Sequence, residues 1–439
     1  MTSRAFLIIF LIFGLLFLGI SLPLALPGTA DAPNGRGGSI VVLALPLIIY
    51  LAVASLNRPR KIDLQGERAL NREKILPGAP VDMQVQIRNQ GPSAEELEIS
   101  DHLPYGLEVT EGDIACLTSL QTGEETALNS TLSGLRGDYI FGAMSARSTE
   151  TFGLFELNTQ FTAAGNLVIH PTPMRFKPMP IRPPQTRGFA GPIPSRQGGA
   201  GVDFLIVREY QPGDPLRQIN WKISARHEAA MYTTIYEQQR IADIGIILDS
   251  RMQCDIRSGK QQLFENSVRA AGALAELFLD DGNRVGLLVY GASMSFAFPG
   301  MGKIQRERIL ETLARAQTGF SYALEKLDYI PTRFFPPRSQ IILISPLTND
   351  DVPVLGFLRA QGYAVMAISP DPIKFEAGTQ PVTSADEIAR RCAQVERMYM
   401  FNALRRAGIQ VVDWDITQPL EPLVRAAVMS TRRIGAVIA

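Results

Sequence analysis

Residues 241–249 read Ile-Ala-Asp-Ile-Gly-Ile-Ile-Leu-Asp, a short and almost wholly apolar run that ends on a carboxylate. A run of this length without polar alternation is the pattern of a parallel strand covered on both faces. The chain then alternates strand and helix. Ser258 and Gln261 show capping-box spacing ahead of VRAAGALAELFL, predicting a helix that starts at Ser258. RVGLLVYG is a second strand, and KIQRERILETLARA a second helix. QIILIS, VPVLGFLRAQG and YAVMAIS repeat strand, helix, strand. Ser384 and Glu387 open a long helix through IARRCAQVERMYMFNALRRA, which Gly408 ends, and QVVDWD and PLEPLVRAAVMS supply a last strand and helix. Repeated strand–helix units predict an α/β domain over residues 240–439, a doubly wound parallel sheet with helices on both faces.

Upstream, the chain changes character twice. Residues 62–175 are punctuated by turn signals at Pro77-Gly78 and at Asn89-Gln90-Gly91-Pro92. Val81, Met83, Val85 and Ile87 alternate with polar neighbours, the period of a half-buried strand. The pattern recurs in LEISDHL, YGLEVT, DYIFGAMSAR and NLVIHP, predicting a β-sandwich-like module over 61–175. Arg136-Gly137-Asp138 reads as a hairpin turn and not as an adhesion motif.

Residues 5–26 and 39–56 contain no charged side chain. About 20 apolar residues cross a bilayer core of roughly 30 Å, so 1–60 are expected to form a transmembrane helical hairpin. Arg4 precedes the first span and Arg58, Arg60 and Lys61 follow the second, which places both termini and the large C-terminal region in the cytoplasm. A cleaved signal peptide with Ala30-Asp31-Ala32 as its processing site is the rival reading.

Composition narrows the function. Forty-three basic and 43 acidic residues cancel in a chain of 439, which argues against a nucleic-acid binder. The length suits two or three domains at roughly 150 residues each. Cys116, Cys254 and Cys392 are too far apart for a redox or zinc motif, and His102, His170 and His227 do not cluster. No GxSxG, HExxH, Walker or GxGxxG pattern appears, so no catalytic residues and no cofactor are expected.

Ligands of doubly wound sheets sit beyond the carboxyl ends of the strands, where Asp249 and Ser250 lie. At this loop the chain resembles a von Willebrand factor A domain, whose first strand ends in Asp-x-Ser-x-Ser and helps to hold a divalent cation. Asp249 matches the Asp, but Arg251 and Gln253 stand where serines are expected, and Pro346 stands where a later Asp would follow its strand. The site at Asp249 and Ser250 is therefore degenerate: a cation is disfavoured, an ordinary polar loop is the plainer reading, and Arg251 is positioned to pair with Asp249 in the ion's place.

Between the modules, residues 176–239 combine a Pro-, Gly- and Arg-rich linker with a dense signature segment. Pro212-Gly213 makes a turn, Asp214 is a good N-cap and Pro215 a good first helical residue, so that Leu216, Ile219 and Ile223 are expected to line one helix face. Arg208, Glu209, Tyr210, Arg217, Asn220, Trp221, Lys222 and Arg226 crowd the same stretch. It reads either as a solvated connector or as an ion-pair and aromatic clamp that joins the modules or presents a docking face. The run REYQPGDPLRQINWKISAR, with the two apolar spans, the turn Thr151-Phe152-Gly153-Leu154-Phe155 and the α/β domain, strongly resembles the bacterial domain-of-unknown-function 58 family. The resemblance implies a membrane-tethered adaptor or chaperone component that works with a MoxR-type AAA+ ATPase, with no established reaction. The leading expectation is thus a non-enzymatic scaffold in the bacterial inner membrane. The alternatives are a metal-dependent hydrolase using Asp249 and an exported periplasmic adhesin.

Overall fold

The computed structural model describes residues 2–25, 36–58, 61–172, 174–177, 193–226, 230–259, 261–377 and 384–435. The loop joining the two apolar helices, the Ala30-Asp31-Ala32 site, most of the Pro-rich linker and His227 lie outside them. The chain divides into two compact units, Met1–Ile169 and His170–Ala439.

The first unit opens with α1 (Ser3–Ala25) and α2 (Arg36–Leu56), the latter carrying Pro46. Within α1, Ser3–Ser21 is long and apolar enough to cross a membrane; the apolar part of α2, Ile40–Leu56, is shorter. Nine strands follow: β1 (Leu64–Leu70), β2 (Lys74–Ile75), β3 (Val81–Asn89), β4 (Ala94–Ser100), β5 (Leu107–Gly112), β6 (Ala115–Leu120), β7 (Glu125–Gly134), β8 (Gly137–Thr149) and β9 (Glu156–Ile169). They form a four-stranded sheet ordered β1-β3-β7-β5 and a five-stranded sheet ordered β2-β9-β8-β4-β6. In β3 the odd positions Val81, Met83, Val85 and Ile87 are buried and their neighbours exposed, as the alternation in sequence requires. They share one core with Leu97 and Ile99 of β4 and Phe141 of β8, so the two sheets enclose a common interior. Arg136-Gly137-Asp138 falls at the tight β7–β8 connection, where the Tyr139 hydroxyl donates to the Leu135 carbonyl at 2.8 Å. One ion pair lies inside this module: Arg68 donates to both oxygens of Asp101 at 2.8 and 2.9 Å, with its guanidinium over the Phe141 ring.

The turn at residues 150–155 touches the helices. Buried Glu150 accepts the backbone N–H groups of Phe152 and Leu154, both at 2.6 Å, and Gly153 takes φ +69°, which glycine adopts without strain. The turn's free carbonyls then accept from the start of α1: the Thr2 N–H reaches the Leu154 oxygen at 2.9 Å and the Thr2 hydroxyl the Gly153 oxygen at 2.9 Å. Ala5, Ala54, Leu154 and Phe155 bury one another, and Tyr50 of α2 meets Phe152 edge-on at 4.9 Å.

In the second unit, β10 (Ile193–Glu209) and β11 (Tyr232–Arg240) pair antiparallel as a ribbon, with a one-turn helix α3 (Trp221–Ser224) in the connection between them. Residues 193–200, which read as linker from composition, therefore carry strand pairing. The α/β domain follows: β12 (Asp243–Ser250), β13 (Arg257–Ser258), β14 (Gln261–Gln262), α4 (Leu263–Asp280), β15 (Arg284–Gly291), β16 (Met294–Gly300), α5 (Gly302–Arg315), β17 (Gln340–Ile344), α6 (Asp351–Ala360), β18 (Ala364–Pro370), α7 (Pro372–Ala377), α8 (Ser384–Arg406), β19 (Gln410–Trp414) and α9 (Leu420–Gly435). The six-stranded sheet has the order β16-β15-β12-β17-β18-β19.

All eight residues of β12 are buried, because side chains go both ways into helix-covered cores. Ile244, Ile246 and Leu248 meet α4, α5 and α9, while Ile247 meets α6 and α8. Full burial of each such aliphatic side chain stabilises by about 1.5–3 kcal/mol.

Two expectations need correction. The sheet is mixed, since β16 runs antiparallel to β15 as an edge strand. Its seven residues (MSFAFPG) are too short, and end too near a proline, to stand out from a loop in sequence. The helix expected from Ser258 starts at Leu263: Ser258 pairs with Gln261 in the small β13–β14 hairpin, and Gln262 precedes the helix without a side-chain cap. Backbone pairing there outcompetes the capping box.

Candidate functional site

The strand order reverses between β12 and β17, and both strands run into the same end of the sheet. In open sheets of this kind that crevice receives the ligand. Here a side chain of the chain itself fills it. β12 delivers Asp249 to the crevice, and the chain turns so that Arg251 folds back over it. The Arg251 guanidinium donates to Asp249 through Nε at 2.9 Å and Nη2 at 2.7 Å, and to Asp351 through Nη1 at 2.9 Å and Nη2 at 3.0 Å. All three side chains are 5% exposed or less.

The remaining acceptor capacity is also used. Ser345, just past β17, donates its hydroxyl to Asp249 Oδ2 at 2.6 Å, and Thr348 donates both N–H and hydroxyl to Asp351 Oδ2 at 2.9 and 3.1 Å. Burial opposes the Arg251 charge, but hydrogen bonds and attraction from Asp249 and Asp351 outweigh it and hold the guanidinium protonated far above any working pH. The Cys254 thiol beneath the cluster is pushed well up, first by burial and then by the Asp249 carboxylate. Ser250 Oγ is buried with no hydrogen-bond partner among the described residues.

These residues do not fit a divalent cation. Such an ion requires six or more oxygen ligands around an open centre. At Asp249 the centre is filled by a guanidinium that bonds to both carboxylates. Among the described residues no group of three His, Cys, Asp or Glu side chains is arranged to hold a metal.

A second arginine closes the neighbouring strand ends. Arg397 of α8 donates to the carbonyls of Pro346 at 3.0 Å and Ser369 at 2.9 Å and pairs with Asp413 at 3.0 Å, its plane over the Phe401 ring. Asp351, Ser345 and Arg397 were not anticipated from the sequence. They lie roughly 100 to 150 positions beyond Asp249, and the one local signal was the acidic first turn of α6 at Asp350 and Asp351.

The signature segment builds the other feature. No continuous helix runs from Pro215: a single 3₁₀ turn covers Leu216–Gln218, Ile219 returns to extended backbone and is buried, and α3 begins afresh at Trp221. Leu216, Ile219 and Ile223 therefore do not share a helix face. The true N-cap is Asn220, whose Oδ1 accepts the Ile223 N–H at 3.1 Å while its Nδ2 donates to Thr234 of β11 at 3.1 Å. Asp214 caps nothing helical; it closes the Pro212-Gly213 turn, accepting the Gln211 N–H at 3.0 Å and Arg208 Nη2 at 2.8 Å. The Gln211 N–H and Arg208 together hold its carboxyl below the usual range. Gly213 has φ +110° in that turn.

The structure thus brings Arg208, Gly213 and Asp214 into one turn and ties Asn220 to β11. Tyr210 continues the ribbon, its N–H donating to the Met231 carbonyl at 2.7 Å. Glu209, Arg217, Trp221, Lys222 and Arg226 remain exposed, with Trp221 at 66% and Leu216 beside Arg217 at 70%. The ribbon thus presents an exposed tryptophan in a stretch that also carries exposed Arg217, Lys222 and Arg226.

Residues 206–369, from the ribbon through β18, match the family described as a protein of unknown function, DUF58. The chain carries a DUF58 region. It is 25% identical over 316 residues to the uncharacterized protein YeaD of Bacillus subtilis, spanning 70% of this chain and 76% of that one. The uncharacterized protein Rv1480 of Mycobacterium tuberculosis is 30% identical over 121 residues, spanning 26% of this chain and 37% of that protein. Among solved structures, the CARDB domain of PF1109 from Pyrococcus furiosus covers 25% of this chain and 93% of its own, with 17% identity and a TM-score of 0.18, too low to carry an argument. The DUF58 region contains the end of β10, the signature turn, α3 and β11, and the arginine-filled crevice.

Proposed function

We propose that the protein is a non-enzymatic scaffold anchored in the bacterial inner membrane by α1 and α2, and that the ribbon of its DUF58 region docks a protein partner, an AAA+ ATPase of the MoxR type. The observation that carries the reading is Trp221, held 66% exposed on α3 by the Asn220–Thr234 and Ser224–Tyr232 bonds. Tryptophan and arginine dominate the energetic centres of protein interfaces. Arg217, Lys222 and Arg226 select an acidic partner face. The absence of chemistry in this reading rests on Arg251, which occupies the crevice where a substrate would bind. The α/β unit is read as von Willebrand A-like from its doubly wound order and from Asp249-Ser250 at the end of its central strand.

Membrane anchoring is supported by the surface of α1, where Phe10, Phe13 and Phe17 stand 68–78% exposed along an apolar helix of spanning length. A cytoplasmic position for the bulk of the chain follows from Arg4, Arg58 and Lys61 flanking the helices on the side of the β module.

The test is affinity purification of the full chain from detergent-solubilised native membranes. An AAA+ ATPase is expected to accompany the native protein and to be lost with Trp221→Ala or Arg217→Glu, while both variants still fractionate with membranes. Equal recovery of the same partners by native and variant proteins refutes ribbon docking. Cleavage of the large domains by protease added outside spheroplasts refutes the topology.

A further inference from the structure

Helix α8 is the longest helix of the second unit and is only half used by it. Arg397, Met400, Phe401 and Leu404 are buried against the domain. Counting heptads with Cys392 at position a, Arg397 and Leu404 fall at f, Met400 at b and Phe401 at c, so the inward face is b, c and f. The a and d positions then point away from the domain. They are Ala385, Ile388, Cys392, Val395, Tyr399 and Asn402, and every one is exposed, Ile388 at 65%, Val395 at 47% and Tyr399 at 68%. This spacing of four and three lines the residues up as one exposed stripe along 385–402, the a/d geometry of a short helix pair. The Arg397 bonds to Pro346, Ser369 and Asp413 fix the rotation of α8, so the seam cannot turn inward to be covered.

We infer that α8 pairs in parallel, in register, with α8 of a second copy of this chain. The flanking positions choose the occupant and the direction. In a parallel pair, each g residue meets the e residue five positions later on the other helix. Those pairs are Ser384 with Ala389, Arg391 with Glu396, and Met398 with Ala403: one ion pair, made twice by the two-fold symmetry, for which Arg391 exchanges its exposed in-helix partner Glu387, and no like-charge contact. An antiparallel pair brings g against g and e against e, which keeps Arg391 and Glu396 on opposite flanks and forfeits the match. Asn402 at a d position adds a polar layer that penalises slipped registers. Cys392 at a faces its own copy across the seam, within disulfide reach.

The experiment uses the full-length protein in detergent, with Cys116→Ser as background and Cys254 protected by burial. Mild oxidation with copper phenanthroline is expected to give a covalent dimer that Cys392→Ser abolishes. Val395→Glu lies on the exposed face and leaves the domain core untouched; it is expected to lower the dimer yield about tenfold, the scale of one lost apolar seam contact. Arg391→Glu is expected to lower the yield, and Arg391→Glu combined with Glu396→Arg to restore it to within about twofold of the parent, since opposite charges again meet across the pair. A monomer mass by light scattering, a yield unchanged by Val395→Glu, or failure of the exchanged charges to recover each overturns the proposal.

Discussion

Arg251 reaches across 100 positions of sequence to grip both oxygens of Asp351, at 2.9 and 3.0 Å, while the same guanidinium holds Asp249. One cation between two carboxylates leaves a single net negative charge in a closed interior. The Ser345 hydroxyl and the Thr348 amide and hydroxyl offset it by pointing donors at the excess. The two halves of the sheet, β15-β12 and β17-β18, are thereby cross-linked at their carboxyl ends.

Arg251→Ala strands two buried carboxylates and is expected to destabilise the α/β domain by about 3–5 kcal/mol. Arg251→Lys keeps the charge but not the fork, and is expected to fall between the two. Denaturant titration followed by the fluorescence of Trp414, fully buried in this domain, reads the loss. A change below about 1 kcal/mol would show that the network is not structural.

Arg251→Ser replaces the guanidinium with one more oxygen ligand beside Asp249, Ser345 and Asp351. Mg²⁺ or Ca²⁺ is expected to raise the thermal midpoint of this variant and to leave the native protein unmoved. Equal responses of the two proteins would refute the assignment of Arg251 as a built-in cation.

Thiol reactivity should separate the cysteines. Cys392 is exposed and is expected to react first with a maleimide, Cys116 more slowly, its thiol raised by partial burial, and Cys254 only on unfolding. Peptide mapping of the labelled chain over time gives the order. Labelling of Cys254 in the folded protein would contradict the closed crevice.

Asp214 gives the ribbon an acid-sensitive turn. Its carboxyl is held below the ordinary value by the Gln211 N–H and Arg208, so the turn is favoured at every pH above the unfolded value near 4. That contribution is lost as pH falls through the lower, folded-state value. Pepsin cleavage within residues 208–226, sampled between about pH 5 and pH 2, should rise toward the acid end. Asp214→Asn should show the elevated cleavage already at the upper limit.

Glu150 accepts the amides of the turn that follows it, and Glu150→Ala leaves them without an acceptor, at a cost of about 1–3 kcal/mol. Hydrogen exchange at Phe152 and Leu154 is expected to accelerate in the variant, while exchange in β3 stays slow.

Much of this fold was legible because burial imposes periodicity. β3 alternates and lies at the surface of one core; β12 is uniformly apolar and lies between two. Legibility failed where an element is short and its neighbour decides its state. Ser258 carried a capping pattern but was captured by Gln261, and the 216–226 stretch carried helical spacing that Ile219 breaks in order to pair with Thr233. At the crevice, Asp249 and Arg251 could be read as partners because they are two residues apart. Asp351 could not, since nothing local links it to a strand end 100 positions earlier.

The bond from Thr2 to Leu154 fixes where α1 begins relative to the β module. A leash of unstructured residues would let the β module swing freely about the helix. Instead the start of α1 is clipped to the turn between β8 and β9, which fastens the helix to the strands of the same unit. Whatever loosens the 150–155 turn therefore also frees the start of α1, because Thr2 bonds to the carbonyls of that same turn.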